Sequence, residues 1–308
     1  MATVADTART APAQAAPRGG LTGRARGERR LGLMLVAPAV TVMVLVAGFP
    51  IVYAFWLSLH RADLRFPALN KFIGLDNYLY VLKSHTWWQD VFNTLFITVV
   101  SVSIELVLGM LIAQAMYRAL YARTWIRVAV LVPYGAVTVV SAFAWQLAFN
   151  PATGFATQWL GLSTPPLTTH WGSLLLIIGA DVWKTTPFIS LLLLGGLALV
   201  PEDLYKAAKV DGASSLQRFW RITLPLIRPA LMVAVLFRAL DAFRIYDAVY
   251  IITNGANNTA SVSLLGYQVL INRLDLGLGS AIAILIFLGV ALISLAFFRF
   301  LGTNNQRR

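Results

Sequence analysis

Apolar residues run in long blocks along this chain, separated by shorter polar connections. Six blocks reach the roughly 20 residues that a helix needs to cross a bilayer. They lie near residues 31–59, 91–117, 125–149, 171–199, 225–252 and 279–302. The pattern predicts an all-α integral membrane protein with six transmembrane helices. Pro38, Pro50, Pro133 and Pro187 fall inside spans and predict kinks, which membrane helices tolerate when neighbours satisfy the freed carbonyls. Two spans have weaker boundaries: Arg127 sits in the first turn of the third, and the fifth carries several charges. Residues 1–28 are rich in Ala, Thr, Arg, Gly and Pro. They lack the apolar surface needed to fold and are expected to form a disordered, basic cytoplasmic tail. Residues 29–308 then form the membrane domain. A cleavable signal peptide would have an apolar core of roughly 7–15 residues, whereas this one continues from Leu31 to Leu59, so a retained first span is favoured.

One polar stretch between spans four and five is densely patterned: PEDLYKAAKVDGASSLQRFWRITLP, from Pro201 to Pro225. Pro201, Glu202 and Asp203 form a helix start, because Pro fits the first turn and carboxylates favour the positive end of the helix dipole. Leu204, Ala207, Ala208 and Asp211 follow at helical spacing, and the small Ala side chains permit close approach by another protein. Gly212 suits a left-handed stop. Ser214 and Ser215 can cap a second short helix running through Leu216, Phe219 and Trp220. Pro225 then opens the next span. The segment reads as a helix–turn–helix knob at the membrane surface, shaped to dock.

Composition agrees with a membrane location. Of 308 residues, 58% are hydrophobic and 12% charged, with a mean hydropathy of +0.71; a soluble protein of this size needs more polar surface. With no Cys, and with His60, His85 and His170 well separated, neither a disulfide framework nor a metal site is expected. No GxxxxGK[ST] loop occurs, so the chain has no P-loop for ATP. The net charge of +12 acquires meaning from its distribution. With both termini in the cytoplasm, the inner side holds Arg9, Arg18, Arg24, Arg26, Arg29, Arg30, Arg118, Arg123, Arg127, Lys206, Lys209, Arg218, Arg221, Arg228, Arg299, Arg307 and Arg308. The outer side holds only Arg61, Arg65, Lys71, Lys83 and Arg273. That asymmetry predicts cytoplasmic termini and contact with anionic lipid rather than nucleic acid. The outer connections, residues 60–90, 150–170 and 253–278, could form a platform for an external partner or be plain links. The first carries Tyr78, Tyr80, Trp87 and Trp88, residues suited to the aqueous boundary.

Seven charged residues fall inside predicted spans beyond their terminal turns: Glu105, Asp181, Lys184, Arg238, Asp241, Arg244 and Asp247. Each costs about 2.5–3.5 kcal/mol at a helix centre, so they should face protein or water. Asp181 with Lys184, Arg238 with Asp241, Asp241 with Arg244, and Arg244 with Asp247 each lie three residues apart, which places partners on one helix face. The set can be internal salt bridging, a hydrogen-bonding path for a polar solute, or both.

The 201–225 segment also carries a resemblance. Ala207-Ala208, three residues, Gly212, nine residues and Ile222-Thr223-Leu224-Pro225 are similar to the cytoplasmic coupling loop of ABC-importer permeases. The words Asp211-Gly212-Ala213 and Ile222 to Leu226 resemble the carbohydrate branch. Lys206 departs from the Glu usual in the family. The maltose-type permeases are similar at Val132-Pro133-Tyr134, at Asp181-Val182-Trp183-Lys184-Thr185-Thr186-Pro187-Phe188 and at Phe237 to Ile245. Across residues 31–302 the chain resembles in particular the permeases of trehalose-recycling importers of actinobacteria. The resemblance implies that Tyr134, Asp181, Lys184, Thr185, Phe188, Arg238 and Asp241 line a sugar path, with charges where the maltose type is mostly neutral. It implies that Glu202, Lys206, Ala207, Ala208, Asp211, Gly212, Ile222, Leu224 and Pro225 contact an ATPase. It implies a non-catalytic subunit that binds no cofactor or metal itself. Its partners would be a second related permease, an ATPase dimer holding ATP and Mg, and an extracytoplasmic sugar-binding protein or lipoprotein. Two rival classes are a proton-coupled secondary transporter using the Asp–Arg pairs and a membrane scaffold. Neither gives the 201–225 pattern a role.

Overall fold

A computed structural model describes residues 23–118 and 123–305. Most of the expected disordered tail therefore lies outside the described residues, but its last part does not. Helix α1 (Gly23–Met43) already begins at Gly23. A π-turn over Val44–Gly48 follows, directly before Phe49-Pro50, where α2 (Phe49–Ser58) starts. Proline lacks the N–H that would continue the helical ladder, and a widened turn is one way to absorb that loss. The chain divides into two compact units, Met1–Tyr53 and Ala54–Arg308.

In the second unit a two-stranded hairpin, β1 (His60–Arg61) and β2 (Lys71–Phe72), precedes α3 (Asp76–Lys83). Asp63 pairs in an isolated bridge with Asp275. Its carboxylate receives both the backbone N–H and the guanidinium of Arg65, at 2.9 and 2.7 Å. These bonds hold Asp63 below the usual carboxylate range. Next come α4 (His85–Arg118), α5 (Arg123–Gly135) and α6 (Thr138–Ala148). The third expected span is thus two helices, bent by 92° just after Pro133. After α7 (Phe155–Trp159), the long α8 (His170–Ala198) is capped by the Thr169 hydroxyl on the Gly172 N–H and carries Pro187 without a break. The surface segment contains α9 (Glu202–Val210), α10 (Ser215–Arg218), a π-turn over Phe219–Thr223 and α11 (Leu224–Leu226).

The fifth expected span is also interrupted. Helix α12 (Arg228–Phe243) starts after Pro225, at 69° to the preceding helical segment, and stops at Phe243. Residues 244–246 are irregular, and α13 (Asp247–Ile252) resumes beyond them. The expected Arg244 pairs with Asp241 and Asp247 do not form among the described residues. The reason is the break itself: without a continuous helix, spacing by three no longer puts the side chains on one face. Helices α14 (Val262–Tyr267) and α15 (Leu276–Asn305) complete the chain. Four described helices are long and apolar enough to cross a membrane, or up to six if each bent pair counts once.

Two apolar cores stack along α4 and α8. One joins Ile97, Leu174, Ile177 and Ile178 to Ala142, Val249 and Ile252. The other, next to the surface segment, joins Met110, Ala113, Ile189, Leu193 and Leu197 to Ile227 and Ala234. Glycines set the spacing: a Cβ on Gly109 would come 2.7 Å from Ile189, and one on Gly196 would come 2.6 Å from Ala230. Small residues at these crossings let α4, α8 and α12 approach closely, as in membrane helix pairs generally. Between the two cores α4 contributes Glu105, α8 contributes Asp181 and Thr185, and α12 contributes Arg238.

Candidate transport path and coupling site

Arg238 is the centre of the polar layer and is only 2% exposed. Its guanidinium forks onto Glu105, with Nε to Oε2 at 2.6 Å and Nη2 to Oε1 at 3.0 Å. Nη2 also donates to Asp181 Oδ2. Nη1 donates to Asp241 Oδ2 at 2.9 Å. Thr185 donates to Glu105 Oε1 at 2.6 Å and is equally placed to donate to the Asp181 carbonyl. A planar guanidinium with five donors is suited to bind several carboxylates at once. The four charges are paired and hydrogen-bonded, as groups removed from water must be. Glu105 is fully enclosed, whereas the Asp241 side chain is 73% exposed. The cluster therefore has a sealed anchor and an open end.

The remaining candidates form a second group on the same face of α8. Asp181, Lys184, Thr185 and Phe188 fall at i, i+3, i+4 and i+7, which is one helical face. Lys184 does not pair with Asp181 among the described ion pairs. Its ammonium lies 5.6 Å from the centre of the Tyr134 ring, within cation–π range. Tyr134 stacks on Phe188, with ring centres 5.7 Å apart and planes within 15°. Tyr134 reaches α8 because α5 packs along it before the bend that follows Gly135. The seven sequence candidates thus resolve into an ion cluster (Asp181, Thr185, Arg238, Asp241) and an aromatic–ammonium column (Tyr134, Lys184, Phe188). Sequence reasoning did not select Glu105 as a site residue. Its signal was present, an acid inside an apolar run, but its partner lies 133 positions away. Chemically, the open Asp241 oxygen accepts hydrogen bonds, and an exposed aromatic face can stack on the apolar face of a sugar ring.

The 201–225 segment folds into two helices around a tight turn. Gly212 takes φ +78°, in the left-handed region. The Ala213 N–H reaches the Ala208 carbonyl at 2.9 Å and the Gly212 N–H reaches that of Lys209 at 3.1 Å, the two bonds of a Schellman stop. Ser214 and Gln217 close a reciprocal capping box at the start of α10. The hydroxyls of Tyr205 and Thr223, 2.9 Å apart, tie the two arms together. Lys206 pairs with Asp203 at 3.1 Å on the surface. Glu202, Lys206, Ala207, Asp211, Gly212 and Pro225 are exposed, whereas Ala208, Ile222 and Leu224 are half-buried. The knob also exposes large apolar side chains, with Val210 at 89% and Leu216 at 68%. Apolar residues this open, on an element braced by its own hydrogen bonds, are what a docking surface would present.

Residues 82–307 match the family model described as the inner membrane component of binding-protein-dependent transport systems. The trehalose transport system permease protein SugA of Mycobacterium tuberculosis is 52% identical over 281 residues, covering 91% of this chain and 92% of that protein. The trehalose/maltose transport system permease protein MalF of Thermococcus litoralis is 41% identical, covering 88% and 94%. Among solved structures, a bacterial ABC transporter that imports the acidic polysaccharide alginate superposes with a TM-score of 0.75 at 21% identity, over 89% of this chain and 96% of that one. That likeness shows a shared fold. Taken with the helical architecture, these matches establish that the chain belongs to the family of inner membrane components of binding-protein-dependent transport systems, with the fold of ABC-importer permeases.

Proposed function

We propose that this chain is the permease subunit of an ATP-driven importer of a neutral, trehalose-like disaccharide. The observation that carries the reading is the physical continuity between the docking knob and the polar layer. The knob passes through the Phe219–Thr223 π-turn and α11 into α12, and α12 carries Arg238 and Asp241. Eleven residues of rise separate Ile227 from Arg238, about 16 Å of helix. The Tyr205–Thr223 bond ties the two arms of the knob together. Closure of an ATPase dimer against Ala207, Ala208 and their neighbours would therefore displace α12. That displacement acts on the Arg238 cluster, the point where α4, α8 and α12 are joined, and so alternates access to the path.

The same reading places Tyr134, Asp181, Lys184, Thr185, Phe188, Arg238 and Asp241 along the sugar path. Asp241 accepts from sugar hydroxyls, Tyr134 and Phe188 offer ring faces, and Arg238 holds Asp241 in register. Both termini face the cytoplasm. A second, related permease supplies the other half of the path. Separate ATPase subunits bind ATP and Mg, an extracytoplasmic sugar-binding protein or lipoprotein delivers the solute, and this chain catalyses no reaction. Sequence similarity to transporters named for trehalose, and for trehalose and maltose, supports the sugar class.

The test is sugar-stimulated ATP hydrolysis by the reconstituted complex across a panel of disaccharides. Trehalose or a close analogue is expected to stimulate. Asp241→Ala is expected to lower uptake at least tenfold (about 1.4 kcal/mol) while the complex still assembles. Stimulation by no sugar would sink the reading, and loss of assembly in Asp241→Ala would assign that residue to structure alone.

A further inference from the structure

We propose that the seam between α4 and the coupling segment is a binding site for an anionic phospholipid. Two cavities meet there and share Gln114, Ser215 and Phe219 as a common wall. One, of about 480 Å³, carries charged and hydroxyl side chains and is lined by Tyr117, Tyr205, Lys206, Lys209 and Arg218 among others. The second, of about 640 Å³, is apolar and is lined by Leu106, Met110, Leu111, Leu216, Trp220 and Leu231 among others. A charged pocket that opens directly into a hydrocarbon-lined groove matches a lipid: headgroup in the first, acyl chain in the second.

Four of the donors lining this cavity are available. Neither Gln114, Tyr117 nor Lys209 has a side-chain hydrogen bond among the described residues, and Arg218 bonds only to the nearby Ser215 hydroxyl at 3.0 Å. Gln114, a half-buried amide one turn from the end of α4, lines both cavities and can donate at their junction. Lys206 is engaged by Asp203, so Lys209 and Arg218 are the cations that would meet a phosphate. Glu202 lines the same cavity and repels a bare anion, but its carboxylate accepts from hydroxyls. The combination fits a phosphodiester carrying a polyol headgroup, as in phosphatidylglycerol. From Gln114 back to Leu106 the groove runs about 12 Å along α4, towards the span's interior, a length of acyl chain rather than of headgroup. The exposed Trp220 ring suits the membrane boundary at the mouth.

This inference rests on the cytoplasmic placement of the knob proposed above, since anionic lipid at that face is drawn to basic segments. A lipid wedged there would brace the coupling segment against α4, and ATPase coupling would depend on the lipid.

The experiment uses the assembled transporter purified in mild detergent and in nanodiscs of phosphatidylcholine, with or without phosphatidylglycerol. Native mass spectrometry reads retained lipid, and ATP hydrolysis reads coupling. Wild type is expected to retain phosphatidylglycerol and to show several-fold greater sugar-stimulated hydrolysis when it is present. The double variant K209Q/R218Q and the single variant Gln114→Leu should each lose several-fold in retention, whereas Arg221→Gln, which removes a charge outside both cavities, should not. Equal retention in all variants would overturn the proposal. So would full replacement of the lipid effect by soluble glycerol phosphate, or efficient disulfide cross-linking from Leu111→Cys to the second permease or to the first helix, which would show a protein segment in the groove. Failure of every sugar to stimulate in any bilayer would count against the transport reading instead, while lipid retention would still report on the site.

Discussion

Arg238 must serve three carboxylates, and the way it does so explains both what the sequence showed and what it hid. Spacing by three put Arg238 and Asp241 on one face, and that pair forms. The same rule joined Asp181 to Lys184, yet Asp181 turns to Arg238 across the helix interface and Lys184 turns to Tyr134. Local spacing says which residues can meet on one helix; it is silent about a better partner on the next. Glu105 was legible as a buried acid, but its role depends on the approach of α4 to α12. Removing it leaves the Arg238 guanidinium enclosed with fewer partners. Glu105→Ala is therefore expected to destabilise the chain by about 3–5 kcal/mol. Glu105→Gln, which retains one acceptor oxygen, should cost less. Thermal unfolding of the detergent-solubilised complex ranks the two, and equal midpoints would show that the fork onto Arg238 contributes little.

At the scale of elements, the coupling segment was the most legible and the bent helices the least. The stop at Gly212 is written locally, in a residue type that alone enters the left-handed region at little cost, so sequence could place it. A Cβ there meets no neighbouring atom, and the penalty for substitution is one of backbone strain only. Gly212→Val is expected to destabilise the turn by at least about 1–2 kcal/mol. It should leave the chain inserted in the membrane but reduce co-purification of the ATPase. Gly212→Asn, a residue type that tolerates φ > 0, should restore most of it; failure of Asn to do better than Val would argue against the left-handed turn. Pro133 announced a kink but not a 92° turn into a second helix, and the break after Phe243 was not foreseen. Arg244 and Asp247 interrupt the apolar run beside Phe243, but charge alone does not say whether a helix stops; the packing of α5 on α8 and of α6 on α13 decides where a span stops being straight.

For the whole molecule, the long apolar helices α4, α8 and α15 stood out because hydropathy over 24 or more residues is a signal that local packing cannot disguise. Orientation rests on the distribution of Lys and Arg and can be checked directly. Single cysteines at Thr86 and Ser214, both exposed, should react with a membrane-impermeant thiol reagent from outside and only after permeabilisation, respectively. Labelling of both in intact cells would exclude the proposed topology. The polar layer has one more consequence, concerning what the path turns away. Counting Lys184 with the cluster sets two cationic side chains against three carboxyl groups, and the exposed carboxyl is that of Asp241. In the proposed sugar path, a fixed negative potential at this point would act as an electrostatic sieve, admitting uncharged sugars and repelling uronic acids of the same size. An acidic disaccharide should neither stimulate hydrolysis nor compete with the neutral one, and Asp241→Asn should relax that exclusion.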